Sequence, residues 1–488
     1  MGNLLCSRNR YIVPFMIDFS SGCGFDDTAR RIARNQFWDF QDMHQSNIEQ
    51  DLYGVILDSF VLNERKNNIG CSFIYTGEIG CSFDYTRFNR PYIVSISKIG
   101  LYIFRSGIGM IWYEADIPVD SSLDEFILFQ NEFKELAYER YVRKNKQNGR
   151  YNFETTKEQQ PLLMGHWIDE LLSGLELSHK YFAMRKDPLD AENVICDKAL
   201  IFEYAVFDDK SKENVYDYMY RLTNGYNERY QRKSDFADNI VSPFENAYYY
   251  ATTGGCGYYA VPNESNANFY LRTLKSKIML DYFTLYILAL YQSYSVLKFT
   301  GTIEDRLPAD SEYYLNNPED TLNEIKQFET DINIFLVKSV YSSVSHINHQ
   351  NDYYIYVTDR LRIKDNIEGL TIGLDSLRKL QESREKERLE KIESSENTER
   401  EIADDRINIG LGMLSVLAIV SAISDGYGSS EVLVKIFGLP MAVKPVLDII
   451  LMVIIVAVGT IAISSIASSI RRAGKKRRDY KRSKKGQK

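Results

Sequence analysis

Two uncharged, mainly apolar runs stand out near the C-terminus of the chain. The first covers residues 407–424 and the second covers residues 449–470. A helix needs about 20 apolar residues to cross the hydrocarbon core of a bilayer. The second run meets that length and the first comes close to it, so the pattern predicts two membrane-spanning helices within residues 407–470, joined by a short loop. A buried helix of a soluble domain remains the alternative for the first run.

The segment before these runs has the spacing of a helical bundle. Residues 352–405 contain no proline, and apolar side chains recur there at alternating intervals of four and three residues, which predicts a packed helical seam. The seam residues are Ile363, Ile367, Leu370, Leu374 and Leu377. Residues 381–405 carry ten acidic and five basic side chains. We expect a solvated helix there, with contact to a basic segment as the alternative.

Two helical patterns precede the seam. Residues 268–299 include a long apolar stretch in which Asp281 is the only charged residue. Several tyrosines and a glutamine interrupt its apolar character, so we expect a buried bundle helix rather than a third membrane span. Residues 320–345 have apolar side chains on one side and polar ones on the other, which predicts an amphipathic helix.

Residues 10–260 alternate between the two-residue period of strands and the 3.6-residue period of helices. Strands are predicted at 11–19, 92–104, 109–117 and 199–207, and helices at 26–40, 122–144 and 213–221. Residues 69–76 and 79–86 are copies that differ only at Ile74 and Asp84, and they predict a β-hairpin. The glycine-rich residues 251–262 predict a loop that either joins this domain to the helices or holds a ligand.

The fold class predicted by these patterns is an α/β domain, a long helical stalk and two C-terminal transmembrane helices. The domains are expected at residues 1–260 (cytoplasmic α/β sensor domain), 261–406 (helical bundle and stalk), 407–470 (two-span hairpin with a short outer loop) and 471–488 (basic cytoplasmic tail).

Charge is distributed unevenly along the chain. The net charge is −8, yet residues 471–488 hold eleven Lys or Arg and one acid. Basic residues that flank a span stay on the cytoplasmic side, so both termini are expected to be cytoplasmic and the loop between the spans outside. Anionic lipid headgroups are the expected partner of the tail. A nucleic-acid-binding tail is the alternative, but the adjacent span already accounts for the charge, and no direct nucleic-acid partner is expected.

One N-terminal segment could bind a phosphate. A strand, a turn containing Gly22 and Gly24, and a helix follow one another, and such a turn can present backbone N–H groups to an anion. Arg30, Arg31 and Arg34 lie close by in the sequence. A strand–turn–helix with no ligand is the alternative, because Asp26 and Asp27 oppose an anion and the full glycine pattern is absent.

Other chemical motifs are scarce. The six cysteines form no C-x-x-C pair, which is typical of a reducing compartment. His346 and His349 are one helical turn apart, but no further ligand residues accompany them, so no metal site is assigned. The chain contains no G-x-x-x-x-G-K-[ST], H-E-x-x-H or G-x-S-x-G motif. The sequence therefore predicts a protein that is not an enzyme.

Small and polar residues give the first run the character of a pore-lining helix. Those expected to line a pore are Asn408, Gly412, Ser415, Ser421, Ala422 and Asp425. Asn408, Ser415 and Ala422 recur every seven residues and share a face. In a symmetric oligomer, Asp425 would form a ring of carboxylates that attracts cations at the outer mouth. The alternative for Asp425 is that it ends the span. The second run, rich in Ile and Val, is expected to face lipid.

The order of these features resembles the CorA-like two-span metal ion transport family over residues 352–488. That family's Gly-Met-Asn signature follows the first span and builds the outer ion filter. Here the same place reads Ser424, Asp425, Gly426, Tyr427 and Gly428, and no Gly-Met-Asn occurs in the chain. The resemblance therefore implies a pore but not selectivity for hydrated magnesium. It further implies a homo-oligomer of five subunits, a pore lined by the first span, and a stalk that couples a cytoplasmic domain to gating.

Divergent CorA-like proteins without the signature also occur as membrane effectors of type III CRISPR systems, where a nucleotide messenger acts on the cytoplasmic domain. The resulting hypothesis is a ligand-gated channel of the cell inner membrane that acts in antiviral defence. A nucleotide messenger and a divalent cation are the candidate ligands. A divalent metal ion transporter and a membrane-anchored signalling protein without a pore are the alternatives.

Overall fold

The structure is a computed structural model of the whole chain. It describes residues 4–19, 24–43, 51–60, 68–77, 79, 81–87, 90–116, 122–136, 151–155, 164–187, 190, 192–208, 211–226, 230–232, 235–306, 318–438 and 440–485. The chain divides into two units, Met1–Leu377 and Arg378–Lys488, and each is described by itself below.

A sheet of twelve described strands forms the centre of the first unit. With two strands outside this sheet, the described strands are β1 Leu4–Ile17, β2 Trp38–Phe40, β3 Gly70–Tyr75, β4 Cys81–Arg87, β5 Arg90–Phe104, β6 Ile108–Asp116, β7 Tyr151–Thr155, β8 His179–Tyr181, β9 Met184–Lys186, β10 Val194–Cys196, β11 Leu200–Phe207, β12 Val241–Phe244, β13 Ala247–Thr252 and β14 Gly255–Ala260. The main order is β12-β13-β14-β11-β1-β6-β5-β3-β2, with β4, β7 and β8 paired beside it. β9 and β10 form a separate pair.

Helices cover both faces of this sheet. The helices that lie between the strands along the chain are α1 Phe25–Ala33, α2 Gly54–Asp58, α3 Leu123–Lys134, α4 Met164–Ser173 and α5 Lys212–Asn224. Successive residues of β1 point to opposite faces, and both faces are apolar: Ile12 packs into one core, and Tyr11 and Val13 pack into the other. A strand buried on both faces reads as a continuous apolar run rather than an alternating one. The α/β class expected for the N-terminal part is confirmed.

Longer helices follow the sheet. Helix α6 runs through a π-helical turn Phe269–Leu274, a short α-helical turn Lys275–Lys277, a second π-helical turn Ile278–Tyr282 and a long α-helical part Phe283–Arg306. Its apolar stretch is buried against the sheet, with Leu285 to Ala289 fully inaccessible. This burial confirms a bundle helix rather than a third span.

The predicted seam is confirmed as packing within one chain. Helix α7 covers Pro318–Ser339, α8 covers Asn348–Arg360 and α9 covers Ile363–Ile436. Leu374 is buried against Phe328 and Ile332 of α7. The break between α8 and α9 lies at Arg362, whose φ of 51° is left-handed. A helix cannot continue through that conformation.

Three local predictions were wrong. The two copies of the repeat do not pair as a hairpin; β3 and β4 each pair antiparallel with β5, at Gly100–Phe104 and Arg90–Ser95 respectively. The glycine-rich segment 251–262 is not a loop, because β13 and β14 form a tight hairpin there. The helix predicted at 26–40 ends at Ala33, and Trp38–Phe40 pairs with β3. Of the helix predicted at 122–144, residues 137–144 lie outside the described residues.

The second unit is dominated by helices. Helix α9 continues without a break to Ile436, beyond the expected end of the first run at residue 424. A short 3-10 turn, Met441–Val443, precedes helix α10, Lys444–Lys485. The loop is therefore shorter than expected, and the basic tail is helical as far as Lys485.

Candidate functional site

Helix α10 contains the described segment that is long and apolar enough to cross a membrane. Within its residues Lys444–Ser468 an 18-residue window has a mean hydropathy of 2.9, and none of this window is buried. Among the residues that the structure describes, this is the one helix that meets both criteria. The first apolar run, in α9, is also uncovered, since Ile407, Leu411 and Leu414 are each more than half exposed.

Helices α9 and α10 meet at a close contact. A Cβ atom built on Gly412 would lie 2.7 Å from Cγ1 of Ile466, so the absence of a side chain at Gly412 permits the approach. Small residues let helices pack closely in this way. Partly buried positions continue along α9 at intervals of four and three residues, at Thr398, Ile402, Asp405, Ile409 and Gly412. On α10 the partly buried residues include Ile455, Gly459, Ile466 and Gly474. We call this row of partly buried positions the hairpin seam, and the described contact between the two helices that it contains is the one between Gly412 and Ile466.

This seam separates the predicted pore residues into two groups. Asn408, Ser415 and Ser421 are exposed. With about 100° between successive residues of a helix, the side of Asn408 and Ser415 is about 100° away from the seam. Gly412 belongs to the hairpin seam, and its role as a pore-lining residue stays a prediction. The side chains of Ala422 and Asp425 lie outside the described residues.

Helix α10 has both apolar and polar surface, and its contact with lipid stays a prediction. Ile449, Val453 and Ile461 are more than half exposed, as expected of a lipid-facing helix. A polar stripe interrupts that surface. Thr460, Ser464 and Ser468, together with Ile461, line an open groove of about 460 Å³. Polar side chains in a span avoid lipid, so this stripe is the part of α10 that we do not expect to face lipid.

The structure does not bring the predicted phosphate-binding residues together. Gly24 precedes the first turn of α1, whereas Arg30 and Arg31 lie in its last turn. Arg31 donates a hydrogen bond to the backbone oxygen of Glu176, and Arg30 and Arg34 are exposed. Gly22 lies outside the described residues. The N-terminal turn of α1 is acidic, and its Asp26 forms an ion pair of 2.7 Å with Arg105.

A cluster that the sequence did not identify surrounds Asp281. The second π-helical turn of α6 turns this carboxylate into the interior, where it is fully inaccessible. Nε2 of Gln350 donates to its Oδ2 at 3.3 Å, and the backbone N–H of Asp51 donates to the same atom at 3.5 Å. Lys277 lies nearby but forms an ion pair of 2.6 Å with Asp51. Burial raises the pKa of Asp281 to about 6.

Aromatic hydroxyls and a histidine extend this cluster. The Tyr282 hydroxyl lies 2.5 Å from Nδ1 of His349, and the Tyr249 hydroxyl donates to the backbone oxygen of His349 at 3.3 Å. Burial lowers the pKa of His349. His346 does not join it in a metal site: no group of three or more His, Cys, Asp or Glu residues is placed to hold a metal ion in the described part of the chain. The cluster can exchange protons and donate hydrogen bonds.

Comparison of the chain with protein-family models, with curated proteins and with solved structures finds no match in any of the three. Any functional assignment must therefore come from the chain's own chemistry. The Asp281 cluster was detectable in the sequence only as a single charge inside an apolar run. Its partner Gln350 is 69 residues away along the chain.

Proposed function

We propose that the protein is a homo-oligomeric, CorA-like channel of the cell inner membrane, with both termini cytoplasmic and five subunits. The observation that carries the proposal is the exposed polar side of α9 at Asn408 and Ser415, with Ser421 exposed about 120° further around the helix, next to a helix that is apolar and uncovered. Polar side chains in a membrane segment face water or protein. In a single chain nothing described covers them, so an oligomer around a wet pore satisfies both surfaces.

A ligand that binds to the first unit opens the channel in this proposal. Helix α9 contributes residues to both units, so it is the covalent connection through which ligand binding reaches the membrane segment. A nucleotide messenger is the favoured ligand, with the exposed Arg30 and Arg34 as candidates for contact with its phosphates. A divalent cation is the second candidate. The biological role is that of a membrane effector in antiviral defence.

Flux through reconstituted vesicles tests the proposal. Purified protein is placed in liposomes loaded with a fluorescent ion indicator, and nucleotides are added outside and inside. We expect flux that depends on a nucleotide, and we expect Ser415→Leu to reduce it at least tenfold by narrowing the pore. Leu414→Val is the matched control, because Leu414 is the adjacent exposed residue on another side of α9. Steady divalent flux without a nucleotide would favour the transporter, and no flux at all would refute both.

A membrane-anchored signalling protein without a pore is the second candidate. It is favoured by the observation that one helix of the described residues, within α10, meets both criteria for a span. For this candidate Ser415→Leu would leave activity unchanged. The mass of the detergent-solubilised protein would then correspond to one or two subunits rather than five.

A further inference from the structure

Asp281 and Gln350 form one hydrogen bond where an acid and an amide can form two. Nε2 of Gln350 donates to Oδ2 of Asp281. The two remaining oxygens, Oδ1 of Asp281 and Oε1 of Gln350, are both buried and have no hydrogen-bond partner among the described residues. Both are acceptors, and the side chains are 0% and 1% exposed. Leaving a buried acceptor without a donor is costly.

A single proton removes this mismatch. A neutral carboxylic acid carries one O–H donor. If that proton is on Oδ1, it can be donated to Oε1 of Gln350 while Nε2 continues to donate to Oδ2. The acid and the amide then form a closed ring with two hydrogen bonds. We propose that Asp281 is a proton-binding site, and that its protonated form ties the second π-helical turn of α6 to α8 through Gln350.

The charged groups around the site agree with this assignment. From the segment before α2, Asp51 adds a negative charge near Asp281. The ammonium group of Lys277 forms its ion pair with Asp51 rather than with Asp281. From α8, His349 is directed to Tyr282, and Asp352 is an exposed acid. Lys277, on the same helix as Asp281, favours the ionised form, and burial outweighs it, so that the pKa of Asp281 lies near 6. The carboxyl therefore titrates in a range that cells reach.

The location gives the proton a structural consequence. A π-helical turn is rare and occurs frequently at functional sites, and α6 has two such turns within residues 269–282. Protonation adds a bond between this turn and α8. Ionisation removes that bond and leaves a buried charge with two long hydrogen bonds. The first unit is therefore tighter at acidic pH. This inference does not depend on whether the protein conducts ions.

The experiment compares full-length wild type with Asp281→Asn in detergent between pH 4.5 and 8. Asparagine reproduces the shape and hydrogen bonds of the protonated acid, because its amide can donate to Oε1 of Gln350. We expect the melting temperature of the variant to rise relative to wild type as pH increases through 6. Infrared difference spectra between pH 5 and pH 7.5 contain the C=O stretches of every acid that titrates in this range, Glu203 among them, and subtracting the Asp281→Asn spectrum from that of wild type should leave one band of a protonated acid. Asp352→Asn, at an exposed acid on α8, is the control and should retain that band.

A second variant keeps the test decisive if Asp281→Asn does not fold. Asp51→Asn leaves Asp281 in place but removes a neighbouring negative charge and releases Lys277. The infrared titration midpoint should then fall, with proton affinity about tenfold lower. A wild-type-minus-Asp281→Asn spectrum without an acid band, a difference in melting temperature that is constant with pH, or an unchanged midpoint of that band in Asp51→Asn would each overturn the proposal.

Discussion

Adding one carbon atom at Gly412 should separate α9 from α10. The Cβ of Gly412→Ala would lie 2.7 Å from Cγ1 and 3.3 Å from Cδ1 of Ile466. Nonbonded carbon atoms prefer about 3.5–4.0 Å, so Ile466 or the helices must move by about 1 Å. Overpacking of this kind costs about 1–3 kcal/mol. The gain in helix propensity from Gly to Ala, about 1 kcal/mol, opposes that cost.

Gly410 provides the matched control. It lies two residues away on the same helix, and nothing would lie within 4 Å of its added Cβ. Gly410→Ala should therefore show the propensity gain without the clash, and the two variants should differ by about 1–3 kcal/mol in free energy of unfolding. Titration of the detergent-solubilised protein with a denaturing detergent, followed by circular dichroism, measures this difference.

A double-mutant cycle assigns the difference to one contact. Ile466→Ala removes both atoms that the new Cβ would meet, so Gly412→Ala should be tolerated in that background. Equal stabilisation by Gly410→Ala and Gly412→Ala, or a penalty that persists with Ile466→Ala, would mean that α9 and α10 are not in contact at this position.

Two other features lead to measurable expectations. Burial raises the pKa of Glu203 to about 8, so the folded protein keeps a proton that the unfolded chain releases near pH 4.3, and the free energy of unfolding should fall as pH rises between these values. Glu203→Gln should remove up to about 4–5 kcal/mol of that fall, and thermal unfolding measured against pH would show it. The same pH dependence in wild type and variant would contradict this prediction. If α9 and α10 stay antiparallel and paired beyond the Gly412–Ile466 contact, residues whose numbers sum to 878 lie opposite each other. Carbodiimide cross-linking should therefore join Glu396 and Glu401 to tail lysines near positions 482 and 477, and links scattered along the tail or formed between subunits would refute that register.

The sequence predicted correctly those strands and helices whose residue pattern lies within one continuous segment of the chain. The strand periods of β5, β6 and β11 and the buried helix α6 were visible because each segment is long and its pattern is uniform. The repeat misled because its local pattern fits a hairpin, whereas β5 has fifteen residues and accepts two short strands in succession along one edge. The length of a partner strand is not encoded in the repeat itself.

Glycine in the β13–β14 hairpin was misread for a related reason. The sequence suggested flexibility, but these glycines make room for neighbours. A Cβ on Gly255 would lie 2.7 Å from the backbone oxygens of Ile201 and Thr223, and a Cβ on Gly257 would overlap the ring of Tyr259. Glycine in a strand often marks such a close approach. The sequence likewise shows that Asp281 is a charged residue in an apolar run, but it does not show that Gln350 is its partner.

The helical structure of the basic tail changes which partner we expect for it. Helices rise about 1.5 Å per residue, so residues 471–485 of α10 extend over about 22 Å, whereas each headgroup layer is only about 5–7 Å thick. A straight continuation of the span therefore keeps roughly one turn, with Arg471 and Arg472, at lipid level. Continuing the pairing at Gly412 and Ile466 along both helices would set the following thirteen residues, which hold eight basic side chains, opposite residues 393–405 of α9, which hold six acids and one arginine. We therefore expect the acidic segment of α9, more than the lipid surface, to neutralise the tail.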